Sequence, residues 1–217
     1  MAADAPSVSV RTHAPPNFKG LLALYLPILA LLLLVAIAAT SPRIALSSLT
    51  RDMAAIAQVH PLIGVVSNIA VLMWCATAAI CLFSSSLLRQ KGLDAEARFL
   101  LWAGLMTIAL LADDLFMIHE YIAPFHLRVS EKIVLAIDAC AAGLYLLSHR
   151  RLILAADYKL LAAAMVLFAL SMLVDFADGQ GWWNLAEDGF KVLGIASWLG
   201  YHAGRARQWL AQPAALA

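Results

Sequence analysis

The sequence predicts an all-α, polytopic integral membrane protein with six transmembrane helices, and three observations carry that expectation. Of its 217 residues 63% are apolar and only 13% charged, against roughly 45–50% and 25% in a soluble domain. The apolar residues fall in long runs separated by short polar, basic stretches, the pattern of a helical membrane protein. Nine of the fourteen acidic residues and most of the basic ones also gather at opposite ends of those runs. A soluble reading would need too large a core for a chain of this size. The net charge of +1 says little, because the distribution of charge carries the information. Basic residues are scattered in pairs and triplets, so nothing points to nucleic acid. Cys75, Cys81 and Cys140 lie inside apolar runs without C-x-x-C spacing, as packing residues do.

Residues 1–19, rich in Ala, Ser and Pro, predict a disordered cytoplasmic tail ahead of a single transmembrane domain over 20–208; residues 209–217 form a second cytoplasmic tail. The first span, 21–40, carries no charge, is long enough to cross about 30 Å of hydrocarbon, and is expected to bend at Pro27. A cleavable signal peptide competes, since Ala36-Ile37-Ala38 resembles a cleavage site. The run exceeds the roughly 7–15 residues of a signal core, so it reads as a retained span. Residues 41–60 form a modestly amphipathic stretch suited to the membrane surface. Pro61 fits the first turn of the second span, 61–88. The third span, 98–122, is expected to end where Pro124 breaks it. The fourth, 130–148, has Ser130 as a candidate N-cap. The fifth covers 158–176, Gly179-Gln180-Gly181 reads as a turn, and Trp182 and Trp183 suit an interfacial belt. Asn184 could cap the sixth span, 184–204.

Six spans place both termini on one side. That side holds Arg11, Lys19, Arg89, Lys91, Arg98, Arg150, Arg151, Lys159, Arg205 and Arg207, whereas the other has Arg43, Arg51, Arg128 and Lys132. The positive-inside rule then makes both termini cytoplasmic, in a bacterial-type inner (plasma) membrane.

With that orientation, Asp113, Asp114, Glu120, Glu131, Asp138, Asp175, Asp178, Glu187 and Asp188 all fall in or beyond the outer halves of spans three to six. A carboxylate in hydrocarbon must be neutralised, paired, hydrated or bound to a cation. Asp113 and Glu120 are seven residues apart, as are Glu131 and Asp138, so each pair is expected on one helical face. The result is an outward-facing acidic cleft. Asp113, Asp114 and Asp138 lie too far from an expected helix end to be caps, and they resist a structural explanation best. Glu187 and Lys191 have the spacing of a helical ion pair; Glu131, Asp178, Glu187 and Asp188 also read as interfacial or dipole-complementing residues. His126 reads as an exposed loop residue and His202 as an inner-interface residue, neither a ligand.

Three functions fit these residues. The first is a metal-dependent hydrolase acting on a lipid or other amphiphile: Asp113, Asp114, Glu120 and Asp138 are the catalytic candidates, and with His119 they could hold a divalent metal ion. Adjacent His119 and Glu120 diverge by about 100° on a helix, and the few outer histidines count against zinc. No organic cofactor is indicated. Asp175, Glu187, Asp188 and Lys191 would support the site. The second is a proton- or cation-coupled permease, supported by a short similarity between spans three–four and five–six: Asp114 and Asp175 near the outgoing ends, Glu131-Lys132 and Glu187/Lys191 on the returning helices. The third is an accessory subunit paired with another membrane protein or with its own copies.

Asp-Asp-x4-His-Glu and Glu-Asp-Gly-Phe-Lys-Val-Leu-Gly-Ile-x2-Trp are similar to patterns in uncharacterised bacterial membrane proteins, a resemblance that implies no activity. Similarity to alkaline-ceramidase-type hydrolases is confined to architecture, since their multiple histidines are missing.

Overall fold

The computed structural model describes residues 18–176 and 181–213, and every regular element among them is helical. The chain, expected as one domain, divides after Ile63 into two compact units. The first holds α1 (Phe18–Ala38), which continues through Pro27, and two short helices, α2 (Leu46–Thr50) and α3 (Met53–Ala57), in the stretch read as amphipathic. Of the two expected tails, residues 1–17 and 214–217 lie outside the described residues.

The second unit contains α4 (Val65–Gln90), α5 (Asp94–Phe116), a π-helical segment (Ile118–Leu127), α6 (Glu131–Ser148), α7 (Arg150–Leu154), α8 (Lys159–Asp175) and α9 (Trp182–Leu210). Among the described residues, α4 and α5 are the two helices long and apolar enough to cross a membrane, with mean hydropathies of 2.1 and 1.7 over their most apolar stretches. The α4–α5 turn is set by Gly92 at φ 75°. Leu93 N–H bonds Leu88 O at 3.0 Å and Gly92 N–H bonds Arg89 O at 3.1 Å, closing the end of α4 with a left-handed glycine.

α4 is central: it packs along α5 and α9, and α8 packs along α9. Small residues allow the close approach. A Cβ on Gly104 would lie 2.8 Å from Leu82, and one on Gly194 would lie 2.7 Å from the Phe168 ring. Buried polar groups are matched across helices. Ser85 Oγ donates to Ala97 O at 2.7 Å, and Trp198 Nε1 donates to Thr107 Oγ1 at 3.0 Å. At the end holding the α4–α5 turn, fully buried Phe99 meets Tyr145, Tyr201, His202 and Trp209.

α6 packs on α5 and the π-helical segment, and it reaches α9 through Tyr145, whose hydroxyl lies 3.0 Å from His202 Nε2. Elsewhere large apolar side chains face outward, among them Leu72, Phe83, Trp102, Leu144, Leu173 and Leu193.

Several expected boundaries move. α4 starts at Val65 after Gly64 in the left-handed region, not at Pro61. Ser130 precedes α6, but its side chain makes no capping bond. α9 opens at Trp182 after Gly181 at φ 68°, which puts Asn184 inside the helix, and it extends to Leu210. Gly179 and Gln180 of the expected turn lie outside the described residues. Of the cysteines only Cys81 is a buried packing residue; Cys75 and Cys140 are exposed.

Candidate functional site

The early end of the third expected span creates the site. α5 stops at Phe116, well before Pro124, and Met117 takes a left-handed conformation (φ 48°, ψ 49°). Pro124 instead lies inside the π-helical segment. The cause is Asp113. Its Oδ1 accepts the backbone N–H of His119 at 2.9 Å, and its Oδ2 accepts a hydrogen bond from His119 Nδ1 at 2.5 Å. A short acid can thus replace the helical ladder as the partner of a backbone donor. Asp113, expected to be too far from a helix end to cap anything, ties down the reversal.

The same reversal corrects a second expectation. His119 and Glu120 do not diverge on a continuing helix: His119 Nε2 lies 3.5 Å from Glu120 Oε1. The imidazole sits between two carboxylates, with its own side chain and that of Asp113 only 14% and 13% exposed. His119 and Glu120 both lie beyond the end of α5. The hydrogen bond to Asp113, then that to Glu120, raises the His119 pKa from 6.5 to about 10, so the ring is an imidazolium at neutral pH. The contact with His119 in turn lowers the Glu120 carboxyl.

Lys191 also departs from expectation. Its Nζ lies 2.6 Å from Asp114 Oδ1 on α5, and Glu187 forms no ion pair among the described residues. An ammonium takes the nearest desolvated carboxylate, and a helical i,i+4 contact exposed to solvent is worth only a few tenths of a kcal/mol. Asp114 Oδ2 is buried without a hydrogen-bond partner.

These groups share one cavity of about 480 Å³ between α5, the π-helical segment, α6, α8 and α9. Asp113, Asp114, Glu120, Glu131, Asp138, Asp175 and Glu187 line it, together with His119 and Lys191. Glu131 and Asp138 reach it from one face of α6, as their spacing predicts. Asp188 is exposed and does not line it, and Asp178 lies outside the described residues. His126 is exposed, as expected. His202 is not at a surface: it is fully buried, with Nδ1 2.9 Å from Trp198 O and Nε2 3.0 Å from the Tyr145 hydroxyl.

Sequence reasoning missed the other end of the cavity, which is apolar and aromatic. Trp74 of α4, Phe168 of α8 and Trp198 of α9 line it with Met106, Leu146 and Met165. Trp74 and Phe168 stack at 5.9 Å. The Trp74 indole N–H is buried without a hydrogen-bond partner among the described residues. Its signal was a tryptophan in the middle of a helix with few polar residues.

Among the described residues no group of three or more His, Cys, Asp or Glu side chains is placed to hold a metal ion. The reason is visible in the pairings: both Asp113 oxygens serve His119, and Asp114 is taken by Lys191.

No curated protein and no solved structure matches the chain significantly. A family model described as "Domain of unknown function (DUF8692)" matches residues 25–204, which reach from α1 into α9, and the chain belongs to that family.

Proposed function

We propose that the protein crosses a bacterial-type inner membrane six times with both termini cytoplasmic, and that its cavity takes in an amphiphile with a cationic nitrogen head from the outer face as a proton-coupled permease. The observation that carries the reading is a single cavity with seven carboxylates at one end, against Lys191 and His119, and tryptophan, phenylalanine and methionine at the other. Such a surplus of acids attracts cations. An apolar floor at molecular scale needs an apolar ligand part to cover it. Asp114 lines the cavity and holds Lys191 through Oδ1, which leaves Oδ2 without a hydrogen-bond partner among the described residues.

The outward-facing leucines and aromatics of α4 to α9 support the membrane reading, because a water-facing surface this apolar would associate. Exposed Trp182 and Trp183 suit an interfacial position. Asp113, His119 and Glu120 form a continuous chain of contacts from the cavity wall to an exposed carboxylate.

The test is uptake of a long-chain alkylamine into proteoliposomes, with internal pH followed by a dye. Amine-dependent proton movement is expected, and Asp114→Asn should abolish it. Tight vesicles containing folded protein but showing no amine-dependent flux would sink the reading.

A second reading, hydrolysis of the bound amphiphile, rests on Asp138. It lines the cavity and has no ion-pair or hydrogen-bond partner among the described residues, so its oxygens are free to accept a proton. It predicts a released apolar product that Asp138→Asn eliminates. Metal assistance would appear as stoichiometric metal in elemental analysis of the purified protein.

A further inference from the structure

We infer that a second hollow, at the opposite end of the α4–α9 unit, binds the phosphate headgroup of an anionic phospholipid; the inference rests on the membrane reading above. The hollow measures about 460 Å³ and is lined by Arg98 near the start of α5 and by Ser148, His149, Arg150 and Arg151 where α6 meets α7. Among the described residues none of the three arginines pairs with a carboxylate. Guanidinium groups present planar pairs of donors that match phosphate oxygens. The His149 ring is fixed in place, with Nδ1 donating to Tyr145 O at 3.0 Å and its edge to the Phe99 ring at 5.4 Å.

The positive-inside rule explains why arginines lie at this end. It does not explain why Arg98 converges on one hollow with a separate cluster some fifty residues further along the chain. Ser148 adds a hydroxyl donor to the same wall.

The apolar surroundings favour a lipid over a free phosphate. Ile133, Ile137, Leu144 and Leu147 are exposed along the face of α6 that points away from the first cavity. Leu147 also lines the hollow, together with Ala95 and Leu152. A headgroup held by the arginines can therefore lay an acyl chain along α6. Basic recesses of this kind on the cytoplasmic side suit anionic headgroups.

The test is equilibrium binding of fluorescent phosphatidylglycerol and phosphatidylcholine to the detergent-purified full chain, where membrane orientation plays no part. Taking about fivefold per arginine, phosphatidylglycerol should bind on the order of a hundredfold more tightly. The triple variant Arg98→Gln, Arg150→Gln, Arg151→Gln should bring the two lipids to near equality. Lys159→Gln, which removes a charge outside the hollow, should leave the preference intact. If the triple variant fails to fold, the wild-type chain at about 1 M salt gives the same readout, because screening to about 3 Å should remove the preference. Equal affinity for both lipids overturns the inference, and so does displacement by inorganic phosphate alone, which would assign the hollow to a free anion. Binding of neither lipid overturns it together with the membrane reading beneath it.

Discussion

At the scale of single residues, the site is built from charges that satisfy one another. Lys191 and Asp114 form a largely desolvated pair, with the Asp114 side chain 9% exposed. Removing one partner from such a pair costs about 3–5 kcal/mol, and the 30% exposure of Lys191 places its loss toward the lower end. Lys191→Met should therefore lower thermal stability in detergent, and the double change with Asp114→Asn should recover most of the loss. Unfolding midpoints of the two single variants and the double variant measure the coupling. Asp113→Asn removes the anion facing His119, and the imidazole should fall from about 10 toward the ordinary 6.5. Histidine ring shifts in NMR would report it. The sign of the pH effect follows. The folded value lies above the unfolded one, so the His119 contribution is complete below about 6.5 and is lost as pH rises through about 10. The lowered Glu120 value acts at the acid side, present above 4.5 and lost as pH falls through its folded value. Hydrogen-exchange protection factors in residues 118–127, corrected for intrinsic base catalysis, should thus fall between pH 6.5 and 10 before those of the helices do.

At the scale of elements, the end of α5 and the contact of α8 with α9 decide the shape of the cavity. A methyl group on Gly194 would strike the Phe168 ring, which forms part of the floor. Gly194→Ala should cost about 1–3 kcal/mol by overpacking and weaken amine binding. Gly143 lines the same cavity with nothing within 4 Å of an added Cβ, so Gly143→Ala should leave stability within about 0.5 kcal/mol of the parent. Paired thermal-shift and ligand-binding measurements on the two variants separate these effects. The two lysines of the short internal similarity also cross over. Lys191 of α9 pairs with Asp114 near the end of α5, and Lys132 of α6 lies 5.8 Å over the Phe176 ring just past α8. Each returning helix reaches the outgoing helix of the other pair. The spacing in the chain suggested a pairing within α9, because i,i+4 neighbours are the only partners visible along one helix.

For the whole molecule, one end of the α4–α9 unit carries the acidic cavity, and the other packs aromatic rings around Phe99 beside the arginine-lined hollow. His202 and Tyr145 satisfy each other there, so Tyr145→Phe should cost about 1–3 kcal/mol by stranding a buried imidazole nitrogen. Its measure is the unfolding midpoint, with proton-coupled flux unchanged. The proposed orientation makes a separate prediction: with native cysteines replaced, Glu131→Cys should react with a membrane-impermeant thiol reagent from outside intact cells, and Arg150→Cys only after lysis. Labelling of both from the same side would contradict six crossings.

Much of this was legible in the sequence. Apolar run length placed every long helix to within a few residues, apart from the ends of α5 and α9, and seven-residue spacing put Glu131 and Asp138 on one wall. Local patterns determine such features, because helical periodicity and the cost of burying charge act along the chain. The early stop of α5, the seating of His119 between Asp113 and Glu120, the exchange of Glu187 for Asp114 as partner of Lys191, and the aromatic floor under the acids were decided only by tertiary structure. Each depends on which groups from distant segments meet after packing. A buried charge takes the partner that desolvation leaves within reach, and neighbours in sequence do not determine which partner that is.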